Sequence, residues 1–368
     1  STEPTFSYKI DNPCRADLSC IIKNKYGKVE MSTSFSSNHN FSKGFFYVAD
    51  GTFNFYDTEK KTAYQDCYAS LNAGKTLGIG NYDSANIIHS NGKFYLLVGT
   101  STSNRDHFYI VDAKTLYYEN SAVVGANLSG LTILNEQYGL VTGDGIRRID
   151  LKSLNNVRIK NERLLCFYNS IIYNGKVLSN DTYKDESKVK YYDVNELIAA
   201  KEGEAPAVTE LDIIQKQKIN FVLAKDGNVY TLESADNGCN IVKIKNDFTL
   251  EKVFANFQPA KGPYHSSPTI GMVASETENI IYLVSTDGAI YKYILGDSDS
   301  LKAPFIAAES GVSITAPLQL NQQSGELYVT YTEERKDESK IVVYSKDGKV
   351  LHTVDCGESV PSQILFNN

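Results

Sequence analysis

The sequence predicts an all-β chain, a seven-bladed β-propeller closed by its C-terminal strand. Three observations predict it. First, a short apolar strand opening returns about every 46 residues, a spacing that goes with one four-stranded blade per repeat. Its copies read Ser84-Ala85-Asn86-Ile87-Ile88, Ser129-Gly130-Leu131-Thr132-Ile133, Asn169-Ser170-Ile171-Ile172 and Asn220-Phe221-Val222-Leu223. They continue with Ser267-Pro268-Thr269-Ile270, Ala316-Pro317-Leu318-Gln319-Leu320 and Pro361-Ser362-Gln363-Ile364-Leu365. Second, Asn-Gly and Asp-Gly dipeptides fall between the expected strands, where two-residue hairpins need positive φ. Third, the last copy has no blade after it, whereas the first blade has no inner strand directly before Phe45. The C-terminus is therefore expected to supply that strand and remove an open sheet edge.

Taken in order, residues 1–44 are expected to be an N-terminal extension, with a possible hairpin of 18–23 and 28–32 around Tyr26-Gly27. Residues 45–368 are expected to be the propeller. Letting strands a to d run outward in each blade, the b strands are expected at 45–49, 94–98, 138–142, 176–179, 229–233, 280–285 and 327–331. The c strands follow at 53–56, 107–111, 146–149, 188–192, 240–244, 289–294 and 340–344. All are short and rich in β-branched or aromatic residues. Asn91-Gly92, Asn174-Gly175 and Asp226-Gly227 separate a from b. Asp50-Gly51, Asp144-Gly145 and Asp287-Gly288 separate b from c, and Asp347-Gly348 separates c from d. Residues 194–200 hold helix formers and predict one or two helical turns, ended by 202–206.

Composition narrows the function. The net charge is −7 and the pI near 5.4, with no Lys/Arg stripe to neutralise phosphates, so nucleic acid is not expected as a partner. No apolar run is long enough to span a bilayer. The opening Ser1-Thr2-Glu3-Pro4 reads as a mature or trimmed start. Cys14, Cys20, Cys67, Cys166, Cys239 and Cys356 show no metal-ligand spacing. Cys14 and Cys20 could pair locally, or all six could be reduced, partly buried thiols. No cofactor is expected.

In a propeller the b–c and d–a connections share one face, and the a–b and c–d turns share the other. The long, varied connections 72–84, 99–106, 180–187, 255–267 and 332–339 belong to the first set, which is the expected binding face. Three Tyr-plus-polar pairs precede inner strands there: Tyr82 with Asp83, Tyr168 with Asn169, and Tyr264 with His265. Arg105 and Tyr183 come from b–c loops. Tyr rings suit the face of a flat amphipathic ligand, and Arg105 and Asp83 suit its polar groups. For Tyr264 and His265 the alternative is a rigid turn shaped by Pro263 and Pro268. The aspartates Asp57, Asp112, Asp150 and Asp193 recur at the ends of c strands, which points to turn capping rather than acid–base chemistry. Asp297-Ser298-Asp299-Ser300 is a fragment of a calcium loop without its Gly and terminal Glu.

The run Phe45-Phe46-Tyr47-Val48-Ala49-Asp50-Gly51, with Phe55-Tyr56-Asp57, Leu77-Gly78, Ser84-Ala85 and Asn91-Gly92-Lys93-Phe94-Tyr95, resembles the opening of the seven-bladed surface propellers that gut bacteria carry as lipoproteins. These are related to the YVTN-type repeat propellers. In blades 3 and 4, Tyr138-Gly139-Leu140-Val141-Thr142 and Lys176-Val177-Leu178-Ser179-Asn180 replace that pattern. The resemblance implies export, a lipid anchor at the outer membrane or cell surface (or a periplasmic location), and a monomer. It implies non-catalytic capture of a nutrient, with a corrinoid as candidate ligand and a TonB-dependent outer-membrane transporter as candidate partner. A lactonase-like hydrolase using His265 and Arg105, and a protein–protein scaffold, are the alternatives.

Overall fold

The computed structural model describes residues 15–24, 27–36, 41–72, 77, 85–99, 106–125, 130–143, 145–160, 170–180, 187–204, 206–215, 220–260, 271–333 and 338–367. Seven antiparallel blades follow one another in chain order. Ahead of them, Arg15–Asn24 pairs with Gly27–Ser36 as a two-stranded sheet of its own, from Arg15↔Ser36 to Asn24↔Gly27.

Ring closure occurs as expected. Pro361–Leu365 pairs with Gly44–Ala49 as the innermost strand of blade 1, which continues through Thr52–Asp57 and Thr62–Tyr64. Gln363 Nε2 donates to the Ile87 carbonyl of blade 2 at 2.7 Å, and Asn367 Nδ2 donates to the Ala113 carbonyl at 2.7 Å. The last strand thus ties three segments that are distant in sequence.

The turns explain why the blades keep register. Asp50-Gly51, Asn91-Gly92 and Asn174-Gly175 have positive φ at both residues, the conformation that matches the twist of a two-residue hairpin. The c–d turns reuse one device. Asp57, Asp112, Asp150 and Asp193 each accept backbone N–H groups two and three residues on. In blades 2 and 3 these turns end on Leu116 and Leu154, both left-handed at φ 58° and both buried. A left-handed non-glycine residue costs roughly 1–2 kcal/mol. Burying a leucine returns about as much, so the side chain stabilises the turn.

The segment Val194–Ala199 is helical. Asp193 caps its N-terminus, and Arg148 from blade 3 donates to the carbonyls of Ile198 and Ala200 at its other end. The Arg148 guanidinium also lies over the Tyr138 ring at 5.1 Å.

Two blades depart from the expected pattern. In blade 6 the inner strand is Met272–Ala274, later than the Ser267–Ile270 segment, which lies outside the described residues. Gly271, at φ 81°, breaks the extended backbone immediately before it. This blade has three strands, Met272–Ala274, Ile280–Val284 and Ile290–Ile294. Its outer edge is closed by a 3₁₀ turn at Ser298–Leu301 and by Phe305 and Ile306, whose N–H groups bond the Ile290 carbonyl. Lys292 lies 5.1 Å over the Phe305 ring and donates to the Lys346 carbonyl of blade 7 at 3.2 Å. In blade 7 the inner strand is split into Val312–Ile314 and Gln319–Leu320, both paired with Leu327–Glu333.

Apolar side chains fill the space between adjacent blades. The densest seam joins blades 1 and 2, where Phe46 packs on Phe41, Phe53, Phe55 and Phe94 at centroid distances of 5.0–5.4 Å.

Candidate functional site

Strand directions assign the connections to two faces. Ser90 to Lys93 and Tyr173 to Lys176 are joined by two-residue turns on one face. The chain between Val98 and Asp106, between Asn180 and Ser187, and between Phe257 and Met272 belongs to the other. Among the described residues the tight-turn face also carries longer segments, the helix-bearing connection from Asp193 to Val208 and the chain that leaves Ile294 through the turn at Ser298–Leu301. The expected ligand contacts Tyr82, Asp83, Arg105, Tyr168, Asn169, Tyr183, Tyr264 and His265 all lie outside the described residues. The described strand ends that adjoin them in sequence form the foot of the long-connection face.

That foot is polar and partly buried. Asp106, beside position 105, is 3% exposed. Ser170, beside position 169, shares a short hydroxyl–hydroxyl hydrogen bond with Thr132 of blade 3. In blade 7 the hydroxyls of Thr315, Thr332 and Ser339 are linked at 3.0 and 2.9 Å. In blade 5 Asn240 Nδ2 donates to Glu233 at 2.8 Å, and Lys252 reaches the same carboxylate at 3.5 Å.

The longest array crosses blades 4, 5 and 6. Asn180 Nδ2 donates to Gln215 Oε1 at 2.7 Å, and Gln215 Nε2 donates to Thr231 Oγ1 at 2.9 Å and to the Leu232 carbonyl at 3.0 Å. The Thr231 hydroxyl donates to the Asn220 carbonyl at 3.1 Å. The Asn220 side chain then clasps Met272 of blade 6, donating to its carbonyl at 2.6 Å and accepting its N–H at 3.1 Å. Periodicity reasoning missed these groups because a buried amide leaves no mark in an apolar alternation. Asn220 opens its repeat where three other copies carry Ser84, Ser129 and Ser267 and one carries Asn169, a recurrence of small polar residues that is the visible signal.

A groove of about 430 Å³ opens on the opposite, tight-turn face, between blades 5 and 6. Asp226, Tyr230 and Lys243 line it from blade 5, and Tyr293, Leu295 and Ser298 from blade 6. Its charges are already matched. Lys243 lies 2.8 Å from Asp226, whose same oxygen accepts the Tyr230 hydroxyl at 2.8 Å. Burial opposes ionisation of Asp226, but Lys243, Tyr230 and the Asn228 N–H outweigh it and hold the carboxyl below its ordinary range. Burial, then the bond to Asp226, pushes the Tyr230 phenol up.

The capping aspartates behave as turn residues. Hydrogen bonds from Ser153 lead the lowering of the Asp150 pKa, and Lys176, 2.7 Å away, leads that of Asp193. Asp297 is likewise used within its own turn, accepting the Asp299 N–H at 3.0 Å. Among the described residues no group of three or more His, Cys, Asp or Glu is placed to hold a metal ion. Cys67, Cys239 and Cys356 are free thiols. Burial raises Cys67 and Cys356 to about 12 and Cys239 to about 11, so thiolate chemistry is suppressed. Cys14 and Cys166, and the side chain of Cys20, lie outside the described residues.

The fold defines the chain as a seven-bladed β-propeller. It belongs to the family described as "Domain of unknown function (DUF5074)", which matches residues 41–367. No curated protein matches it. Among solved structures it is similar to a functionally unknown protein from Desulfotomaculum acetoxidans DSM 771, with TM-score 0.55 and 12% identity, covering 88% of this chain and 99% of that one. It is also similar to puromycin hydrolase, with TM-score 0.54 and 13% identity, over 87% of this chain and 52% of the other. The Dos1 propeller matches with TM-score 0.51 and 10% identity, over 86% and 85% of the two chains. At these identities the likeness is one of fold.

Proposed function

We propose that this propeller is a non-catalytic ligand-binding protein of the cell surface or periplasm that captures a nutrient on its long-connection face. The observation that carries the reading is the division of labour between the faces. Most turns on one face are locked by positive-φ dipeptides and aspartate caps. The other face carries the longest connections beside tight b–c turns such as Asp50-Gly51, and its strand ends hold hydrogen-bonded polar residues. A rigid frame under variable loops is the usual arrangement of a binding surface. A corrinoid is the candidate ligand, held by Tyr82, Tyr168, Tyr183 and Tyr264 around the ring, with Asp83, Arg105, Asn169 and His265 answering its polar groups. In this reading the protein is exported, lipid-anchored and delivers its ligand to a TonB-dependent transporter.

Cobalamin titration by calorimetry and corrin absorbance tests the ligand. The expected result is one-to-one binding that Tyr264→Ala and Arg105→Ala each weaken about tenfold, the range for losing an aromatic or charged contact. No binding at high micromolar cobalamin removes the corrinoid. A lactonase-like hydrolase is the second reading, since propeller folds carry hydrolytic and binding functions alike. It requires turnover of a lactone panel that is lost on replacing His265 and Arg105 together. A scaffold role would show as a co-purifying membrane partner without small-molecule binding.

A further inference from the structure

We infer that Gln215 and Thr231 form the hub of a positioning relay that makes the long-connection side of blades 4, 5 and 6 one mechanical unit. The inference deepens the ligand-binding reading by naming how that face is held, and its first test needs no ligand.

The donors run in one direction, from the Asn180 amide to Gln215, from Gln215 to Thr231, and from Thr231 to the Asn220 carbonyl. Asn220 passes the constraint to the Met272 backbone. Hydrogen bonds in such a chain polarise one another, and in a dry setting they hold orientation strongly. The setting is dry: Gln215 is 1% exposed and Thr231 0%. Every link is neutral, so the relay transmits geometry rather than charge. Its members other than Thr231, which lies within Val229–Ala235, sit beside three long-face connections. Asn180 precedes one, Gln215 and Asn220 flank the second, and Met272 follows the third. Apolar packing would seal the same seams without directional bonds. A row of buried amides and hydroxyls has value when the relative placement of those connections must be fixed.

The test is amide hydrogen exchange at Met272 in the full chain. Thr231→Val keeps the shape but removes the hydroxyl, whereas Thr231→Ser keeps the hydroxyl. Thr231 makes no hydrogen bond to Met272 itself, so a change there must travel through Asn220. Exchange at Met272 is expected to rise at least tenfold in Thr231→Val and to stay within about twofold of wild type in Thr231→Ser. Gln215→Leu, which cuts the relay one link earlier, should also raise Met272 exchange and serves if Thr231→Val does not fold. An unchanged Met272 in the folded variants, or equal rises in the Val and Ser variants, overturns the relay. Cobalamin is the probe for the ligand arm. If wild type binds it, Thr231→Val should weaken binding at least threefold and Thr231→Ser should not; equal affinity in all three forms overturns the link to ligand. If wild type does not bind cobalamin, the corrinoid reading fails while the exchange result still decides the relay.

Discussion

Deletion of residues 361–368 is expected to abolish the folded monomer. The deleted strand covers the inner edge of Gly44–Ala49 from Phe46↔Leu365 to Ala49↔Pro361. Its loss uncovers a hydrogen-bonding edge and the seam that holds Phe45, Tyr47, Tyr328 and Ile364. Ile364 and Leu365 are 3% and 7% exposed, and burying each contributes about 1.5–3 kcal/mol. The links to Ile87 and Ala113 of the next blade go with them. Together these losses are a large fraction of the roughly 5–15 kcal/mol that keeps a protein folded. An open ring also presents two unpaired edges, so the truncated chain should associate. Size-exclusion chromatography and a thermal melt read both effects, and a synthetic 358–368 peptide should restore the monomer in part. A truncated chain that stays monomeric and melts within about 2 °C of the full chain would contradict ring closure.

Phe46→Ala is expected to cost about 3–5 kcal/mol, the range for an aromatic side chain removed from a tight core. Phe46 is fully buried and touches four other phenyl rings, from Phe41 before the first blade to Phe94 in the second. Phe rings and buried aliphatic side chains such as Val48 and Leu365 share its cluster, so neighbouring side chains cannot collapse into the gap without leaving their own packing. Urea unfolding should show a lower midpoint with little change in slope. Leu351→Ala is the control, because Leu351 is 45% exposed on an outer strand and its loss should stay within about 0.5 kcal/mol. A Phe46→Ala loss below about 1 kcal/mol would show that the seam between blades 1 and 2 is not a rigid core.

The b and c strands are legible in the sequence because two independent signals agree there. Short runs rich in β-branched and aromatic residues mark 94–98 and 107–111, for example, and the strands found are Lys93–Val98 and Asp106–Asp112. Positive-φ turns at Asp50-Gly51, Asn91-Gly92 and Asn174-Gly175 then fix where the strands they join end. Closure is legible because Gln363-Ile364-Leu365 repeats an inner-strand pattern where no blade remains. The missing outer strand of blade 6 is not. Residues 295–306 contain turn and coil formers that read like any loop, and it is tertiary contacts, the backbone bonds of Phe305 and Ile306 to Ile290 and the packing of Lys292 on Phe305, that turn them into an edge cover. The left-handed Leu116 and Leu154 are hidden for a similar reason: local preference opposes the conformation and burial overrides it. The buried relay is hidden because Asn180 and Gln215 meet only when blade 4 forms, and Gln215 and Thr231 only when blades 4 and 5 pack.

If ligand is taken on the long-connection face, as we propose, hydrogen–deuterium exchange with and without cobalamin shows protection in peptides covering 100–105, 181–186 and 261–270, with no change in those covering Asp226, Lys243 and Tyr293 on the opposite face. Protection centred on that opposite groove, with the long connections unchanged, would contradict it.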